Sequence, residues 1–294
     1  MSKVAVIIVT YNGINWIKKC LESVFDSTLK CDVFVIDNAS TDKTLAVVKA
    51  FEKVQIIENQ INVGFGKANN VAIKESMKVD YDFFFLLNQD TWIDKNCIEI
   101  LVQTLTLDPE FGVLSPMHFA ANETDLDSNF EKYLKDGYNI NGNLVVVPFV
   151  NAAAWLVSRK CFEKIGLFEP VFAHYGEDRN FCNRAKYHRF KIGIACHAKI
   201  VHDRLIVRSF KKDIVQSEYL ILNTLININL KSFDRYFIAL MQVVGLPKYF
   251  FKWYGVKKAF FLWCQLISFY LKNIFEMPAL NKVIKISRAG QNGF

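Results

Sequence analysis

Apolar positions along the first hundred residues change period repeatedly, from unbroken short runs to helical spacing and back. Residues 3–9 (K-V-A-V-I-I-V) form a continuous apolar, β-branched run, the pattern of a strand covered on both faces. Ile17, Leu21, Val24 and Phe25 then recur on one helical face. A second run over residues 32–36 ends in Asp37-Asn38-Ala39-Ser40-Thr41-Asp42, short polar residues suited to cap a helix carrying Leu45, Val48 and Phe51. Residues 54–57 predict a third strand, and a glycine-containing loop leads to a helix around 68–77. Residues 82–87 (D-F-F-F-L-L) predict a fourth strand that runs into Asn88-Gln89-Asp90, with a helix near 95–107 to follow.

Four β–α units in succession predict an α/β fold, a mostly parallel sheet covered by helices. Such sheets bind ligands beyond the carboxyl ends of their strands. The polar clusters Thr10-Tyr11-Asn12, Asp37-Asn38 and Asn88-Gln89-Asp90 fall there. Neither a G-x-G-x-x-G turn nor a phosphate-binding P-loop follows the first strand, so the site works by other chemistry. Residues 120–143 are polar and dotted with Asn and Gly, a long surface excursion. Strands are expected at 144–150, 154–157 and 191–194 and in a segment ending at Asp203. A helix is expected from Glu177-Asp178 to about residue 188.

Charge divides the chain in two. After Asp203 there are 14 Lys/Arg against 4 Asp/Glu, whereas the preceding residues carry 22 against 25. From residue 213 the pattern is helical and aromatic, and its longest apolar stretch, 259–271, lies between Lys258 and Lys272. That is short of the roughly 20 residues a membrane-crossing helix needs. Cations interleaved with Phe, Trp and Tyr fit a helix lying on an anionic membrane surface; a helical subdomain or a homodimer contact is the alternative use of the aromatics. No nucleic-acid motif accompanies the basic tail, so no nucleic acid is expected. Seven cysteines, an odd number without a C-x-x-C pair, fit neither a disulfide framework nor a zinc knuckle. No small-residue cleavage site follows the first apolar run, so a secretory signal is not expected. The expected location is cytoplasmic, peripheral on the inner face of the plasma membrane.

Five motifs occur in order, each at a predicted strand end or helix start: V-T-Y-N (9–12), V-I-D-N-A-S-T-D (35–42), N-V-G-F-G-K-A-N-N (62–70), L-L-N-Q-D (86–90) and G-E-D (176–178). Together they resemble family 2 of the glycosyltransferases, inverting enzymes of the GT-A fold, and are most similar to bacterial rhamnosyltransferase-like members that build surface polysaccharides. The resemblance covers about residues 3–205. It implies a GT-A-like (Rossmann-like) domain over 1–205, with 206–294 left as a basic aromatic helical tail. The implied reaction moves a hexose or deoxyhexose from a UDP- or dTDP-sugar to a glycan or lipid-linked glycan acceptor. The rivals are a polyprenyl-phosphate glycosyltransferase, which usually carries membrane-crossing helices, and a catalytically inactive nucleotide-binding scaffold, against which intact Asp37, Asp90 and Asp178 argue.

The resemblance also implies roles. Asp37 accepts the base N–H of the donor nucleotide, with Thr10, Tyr11, Asn12 and Asn38 lining the same pocket; turn capping is the alternative. Asn88-Gln89-Asp90 stands at the metal motif with only the last acid retained, making Asp90 a ligand of Mg²⁺ or Mn²⁺, which suits a diphosphate leaving group. An N-cap ahead of the next helix is the alternative for Asp90. His202 stands where relatives place a histidine near the metal. Asp178 is the implied general base, expected to be held ionised by its place at a helix start, and Glu177 orients the acceptor or shares the role. Asn180 departs from the acid often found there. Gly64, Gly66 and Asn69 shape a loop over the donor. Ala152, Ala153 and Trp155 border the acceptor cleft, the indole as a stacking face, with a core position as the alternative for Trp155.

Overall fold

The computed structural model describes residues 2–140, 142–204 and 208–290, so the expected division between 205 and 206 lies outside the described residues. The first seven elements follow the sequence pattern: β1 (Val4–Thr10), α1 (Ile17–Phe25), β2 (Asp32–Asp37), α2 (Thr44–Lys49), β3 (Val54–Glu58), α3 (Phe65–Ser76) and β4 (Phe83–Asn88). Then come β5 (Thr91–Ile93), α4 (Cys97–Leu107), β6 (Phe111–Phe119), α5 (Phe130–Lys135), β7 (Tyr138–Asn139), β8 (Leu144–Val146), β9 (Ala154–Ser158), α6 (Arg159–Ile165), α7 (Glu177–Tyr187) and β10 (Lys191–His202). Three helices close the chain: α8 (Phe210–Leu225), α9 (Ser232–Phe275) and α10 (Met277–Ala289).

The strands make one sheet in the order β3-β2-β1-β4-β9-β6-β10-β8-β7, with β5 paired to β10 off that path. From β3 to β4 every pairing is parallel, as consecutive β–α units require. Beyond β4 the sheet is mixed: β9 runs antiparallel to both β4 and β6, and β10 is parallel to β6 but antiparallel to β8 and β5. β6 has no clean sequence signature because Gly112 and Pro116 interrupt it. Pro116 pairs with Ala195 beside a bulge in β10, between Ala195 and Lys199, where the ladder is already broken. The same bulge joins into one strand the two pieces that the pattern predicted for residues 191–203.

Alternate residues of β1 serve two cores. Ala5 and Ile7 pack with Phe84, Leu86 and Trp155 on one face; Val4, Val6 and Ile8 pack with α1 and α4 on the other. A third core lies in the C-terminal helices, where Ile221, Leu225, Val243, Leu262, Leu266 and Ile284 enclose Phe172 from the loop before α7. α9 bends at Gly255, whose φ of 71° is left-handed and favours glycine.

Arg184 of α7 is fully buried. It donates to Asn180 Oδ1 and to the carbonyls of Ile165 and Leu167, satisfying the C-terminal end of α6. Asn180, where the resemblance placed an acid, therefore aims an internal guanidinium. Arg184→Met keeps the bulk but strands those acceptors; it should cost about 3 kcal/mol, read by chemical denaturation as a lower midpoint with an unchanged slope.

Candidate active site

Parallel register brings the polar strand ends level: Thr10 pairs with Asp37, and Val9 with Asn88. Amide side chains then lace the loops. Gln89 Oε1 accepts from the Thr10 hydroxyl and the Tyr11 N–H, and Gln89 Nε2 donates to the Tyr11 carbonyl. A Cβ at Gly13 would stand 2.1 Å from Gln89 Oε1, so glycine is required for this approach. Asn12, at φ 48°, accepts from the Thr41 N–H. Asn38 bonds Asn62, Asn59 and the Val63 N–H. Gln89, Asn12 and Asn38 thus tie the polar strand ends together. Asp37 differs: one carboxylate oxygen accepts from the Ser40 N–H, while Oδ1 is buried with no partner.

Beyond the ends of β4 and β10 opens a cleft of about 860 Å³. Asp90 and His202 meet there because β5 pairs with β10, His202 opposite Thr91, and the Asp203 N–H donates to the Asp90 carbonyl. His202 Nε2 lies 3.5 Å from Asp90 Oδ2. Asp90 leads into β5 and not into a helix; α4 starts later, after Asn96, which excludes the N-cap alternative. His118, buried and stacked on Phe130, sets its ring edge-on to His202. Burial, with the nearby His202 ring and Arg204 guanidinium, drives the His118 pKa well below its usual value, so its ring is neutral. Trp16 Nε1 donates to Asp203, and Arg204 pairs with Asp127 from the 120–143 excursion. That excursion forms a wall of the cleft through Asn129, Lys132 and Tyr133.

Asp90 and His202 fit a shared hard cation, since neighbouring ligands of an octahedral ion with bonds of about 2.1 Å lie about 3 Å apart. Among the described residues no group of three or more His, Cys, Asp or Glu side chains gathers as a metal site.

Glu177 and Asp178 open α7 and line the same cleft. The chain reaches them through two left-handed residues, Tyr175 (φ 73°) and Gly176 (φ 91°). α8 holds this turn: Asn223 Nδ2 donates to the Gly176 carbonyl, and the Ala173 N–H donates to the Tyr219 hydroxyl. The helix start favours an ionised Asp178, and burial acts against it on both carboxyls. Desolvation, reinforced by Asp178, pushes Glu177 up to about 7, and desolvation raises Asp178 despite hydrogen bonds from the Arg179 and Ala152 backbones. Burial outweighs the dipole.

Other expected residues are placed differently. Trp155 is fully buried against Phe168 and Phe181 and offers no face to a sugar, while Ala152 and Ala153 do line the cleft. Gly64 and Gly66 seat the 173–177 loop: a Cβ on Gly64 would stand 2.0 Å from the Ala173 carbonyl, and one on Gly66 would touch Glu177. Asn69 is buried and donates to the Phe65 carbonyl within α3. Sequence reasoning missed the face of α8, where Lys212, Gln216, Tyr219, Leu220 and Asn223 line the cleft. The signal was a stripe at helical spacing, hidden among stronger aromatic ones.

Sheet order, helical cover and a polar cleft beyond the strand ends define an α/β domain of GT-A type. The family model for glycosyl transferase family 2 matches residues 5–166, and the chain belongs to that family. It is 26% identical over 200 residues to glycosyltransferase GlyA of Streptococcus pneumoniae, covering 63% of this chain but only 28% of that protein. It is 23% identical to the low-salt glycan biosynthesis hexosyltransferase Agl10 of Haloferax volcanii, over 69% of this chain and 68% of that one. Among solved structures, Staphylococcus aureus TarS 1-349 superposes with a TM-score of 0.65 at 16% identity, covering 92% of this chain and 80% of that one. The mannosyltransferase PcManGT of Pyrobaculum calidifontis, solved with GDP-Man and Mn²⁺, gives 0.61 at 15%, covering 93% and 87%.

Glu177 tests the electrostatics. Its folded pKa is raised from 4.5 to about 7, so the native state holds the proton more tightly than the unfolded chain. Stability from this group is present below the unfolded value and is lost as pH rises through the folded one. Thermal unfolding between pH 4.5 and 7 should show a falling Tm, and Glu177→Gln should flatten that fall.

Proposed function

We propose that the protein is an inverting, metal-dependent hexosyltransferase of surface polysaccharide synthesis, acting from a UDP- or dTDP-sugar on a glycan or lipid-linked glycan, with residues 1–205 catalytic and 206–294 a helical region. The observation that carries the reading is that one cleft is lined by the adjoining Asp90 and His202 and also by the Glu177-Asp178 pair. The unpartnered Asp37 Oδ1, level with Thr10, suits the imide N–H of a pyrimidine base. Neighbouring structures solved with UDP, UDP-GlcNAc or GDP-Man and Mn²⁺ support a nucleoside-diphosphate sugar and a divalent cation. The motif pattern makes dTDP-rhamnose the first deoxyhexose donor to try.

In the proposed step the acceptor hydroxyl oxygen bonds to the anomeric carbon as Asp178 takes its proton. The bond from that carbon to the diphosphate breaks, and its electron pair leaves with the nucleoside diphosphate. Mg²⁺ or Mn²⁺ held by Asp90 and His202 would supply Lewis-acid neutralisation of the leaving group. A raised Asp178 pKa suits a base, because a carboxylate that holds protons better removes them better.

A donor panel scored for nucleotide release with and without glycan acceptors tests this. Asp178→Asn should retain nucleotide binding and lose transfer by about 10²–10⁴-fold, and EDTA should abolish transfer by the native protein. Activity untouched by EDTA overturns the metal role, and near-normal turnover in Asp178→Asn moves the base elsewhere.

The helical region adds an anionic membrane as a proposed partner. Among the described residues no helix is long and apolar enough to cross a membrane. Yet Phe251, Trp253, Phe260, Phe261 and Trp263 are exposed beside Lys248, Lys252, Lys257 and Lys258, while Phe250 and Tyr254 pack towards the helical core and Phe210. Each cation near an anionic surface contributes about 1 kcal/mol. The protein should float with anionic liposomes at low salt and be released by high salt, and Trp253→Ser with Lys252→Glu should weaken binding without unfolding the core. Failure to float would leave the aromatic face to a homodimer, read by sedimentation.

A further inference from the structure

Before its bend, α9 turns Tyr236, Ala239, Val243 and Leu246 inward to the helical core. Its opposite side is an apolar stripe left open. Phe237, Met241 and Val244 are 53%, 53% and 54% exposed, with Phe233, Ile238 and Leu240 exposed beside them. None of residues 236–247 is charged, and the stripe ends in one acid and one base, Asp234 and Lys248. Neither of those side chains has an ion-pair or hydrogen-bond partner among the described residues. Gly245 lies on the same side with helical backbone, and a Cβ there would meet nothing within 4 Å. Glycine inside a helix costs about 1 kcal/mol against alanine, and no contact within this chain requires it.

Helical geometry orders these residues about Met241. Asp234 and Lys248, seven residues before and after it, stand about two turns away on the same face, and Phe237 and Gly245 about one turn away. We propose that this face is a self-complementary contact for a second copy of the chain, two α9 helices pairing antiparallel about a two-fold axis beside Met241. A two-fold contact sets residue i against j and j against i. Each Asp234 then comes level with Lys248 of the second copy, and each Phe237 ring with the gap left by Gly245 of the second copy.

The charges select both the arrangement and the occupant. Parallel helices would set Asp234 beside Asp234 and Lys248 beside Lys248, which like-charge repulsion opposes. An anionic membrane repels Asp234, and the uncharged stretch gains nothing from its field. The basic aromatic patch shares only Lys248 with this stripe and otherwise follows it along α9. No residue lining the cleft takes part, so the pairing stands apart from the transferase reading. One helix on one helix over about 21 Å falls short of the roughly 800 Å² per partner of a standard interface. The dimer is therefore reversible.

Sedimentation velocity of the full chain without lipid, from about 1 to about 100 μM, decides it. The mass should rise with concentration towards twice that of the monomer. Asp234→Lys and Lys248→Asp should each weaken the dimer more than about tenfold, because each sets like charges together. The double variant should return it to within about threefold of the native protein, since the pair is only exchanged. Gly245→Leu should weaken it about tenfold by filling the gap, with a Tm no lower than native because leucine favours the helix. The proposal is overturned if the chain stays monomeric at the highest concentration or dimerises only on liposomes. It is equally overturned if the double reversal fails to restore what the single ones lose, or if the single variants all dimerise like the native protein.

Discussion

Hydrogen-bond register between neighbouring parallel strands is the constraint on which the rest of this molecule depends. β1 lies between β2 and β4, and its pairing sets Thr10 level with Asp37 and Val9 level with Asn88. Each strand ends in polar residues, so one edge of the sheet collects three polar loops within reach of one another. The amides of Gln89, Asn12 and Asn38 then join the loops in pairs, each bond worth about 0.5–1.5 kcal/mol. Loops tied in this way present fixed dipoles to a ligand, which is how a site stabilises charge without reorganising during the reaction. At these strand ends Asp37 Oδ1 is buried and keeps no hydrogen-bond partner.

The second half of the sheet contributes by a different device. A short antiparallel pairing of β5 with β10 carries Asp90 to His202, and the bulge in β10 lets a single strand reach from the far end of the sheet to that meeting point. On the same cleft, the left-handed turn at Tyr175 and Gly176 is a conformation that costs energy locally. It is held because Tyr219 and Asn223 bond it from α8 and because Phe172 is anchored in the helical core. The C-terminal helices therefore share in the geometry of the carboxylate pair, whatever surface their aromatic face meets.

Burial also decides how the acids behave. A helix start favours ionised carboxylates by about 0.3–1 kcal/mol at exposed positions. Glu177 and Asp178 sit at such a start, yet both are raised, because the third core and α3 exclude water from around them. The local signal and the tertiary environment oppose each other, and desolvation is the larger.

The first seven elements, the family and the place of the motif acids at element ends were legible in the chain itself. Apolar periodicity is a local property, and Asp37, Asp90, Glu177 and Asp178 sit in short contiguous motifs at element ends. The exposed basic aromatics of α9 were legible for the same reason. β6 was not, because Gly112 and Pro116 read as breaks until two register shifts in the pairing with β10, far along the chain, account for them. Nor could a motif tell which polar residues face a ligand and which face the protein. Asn38 and Gln89 bond their own scaffold and Trp155 fills the core, because their partners come from other segments, while Asn69 bonds its own helix. Asn223, Tyr219 and His118 entered the site for the same physical reason: which face of an element meets a cleft is set by packing between elements far apart along the chain, and only the folded molecule decides it.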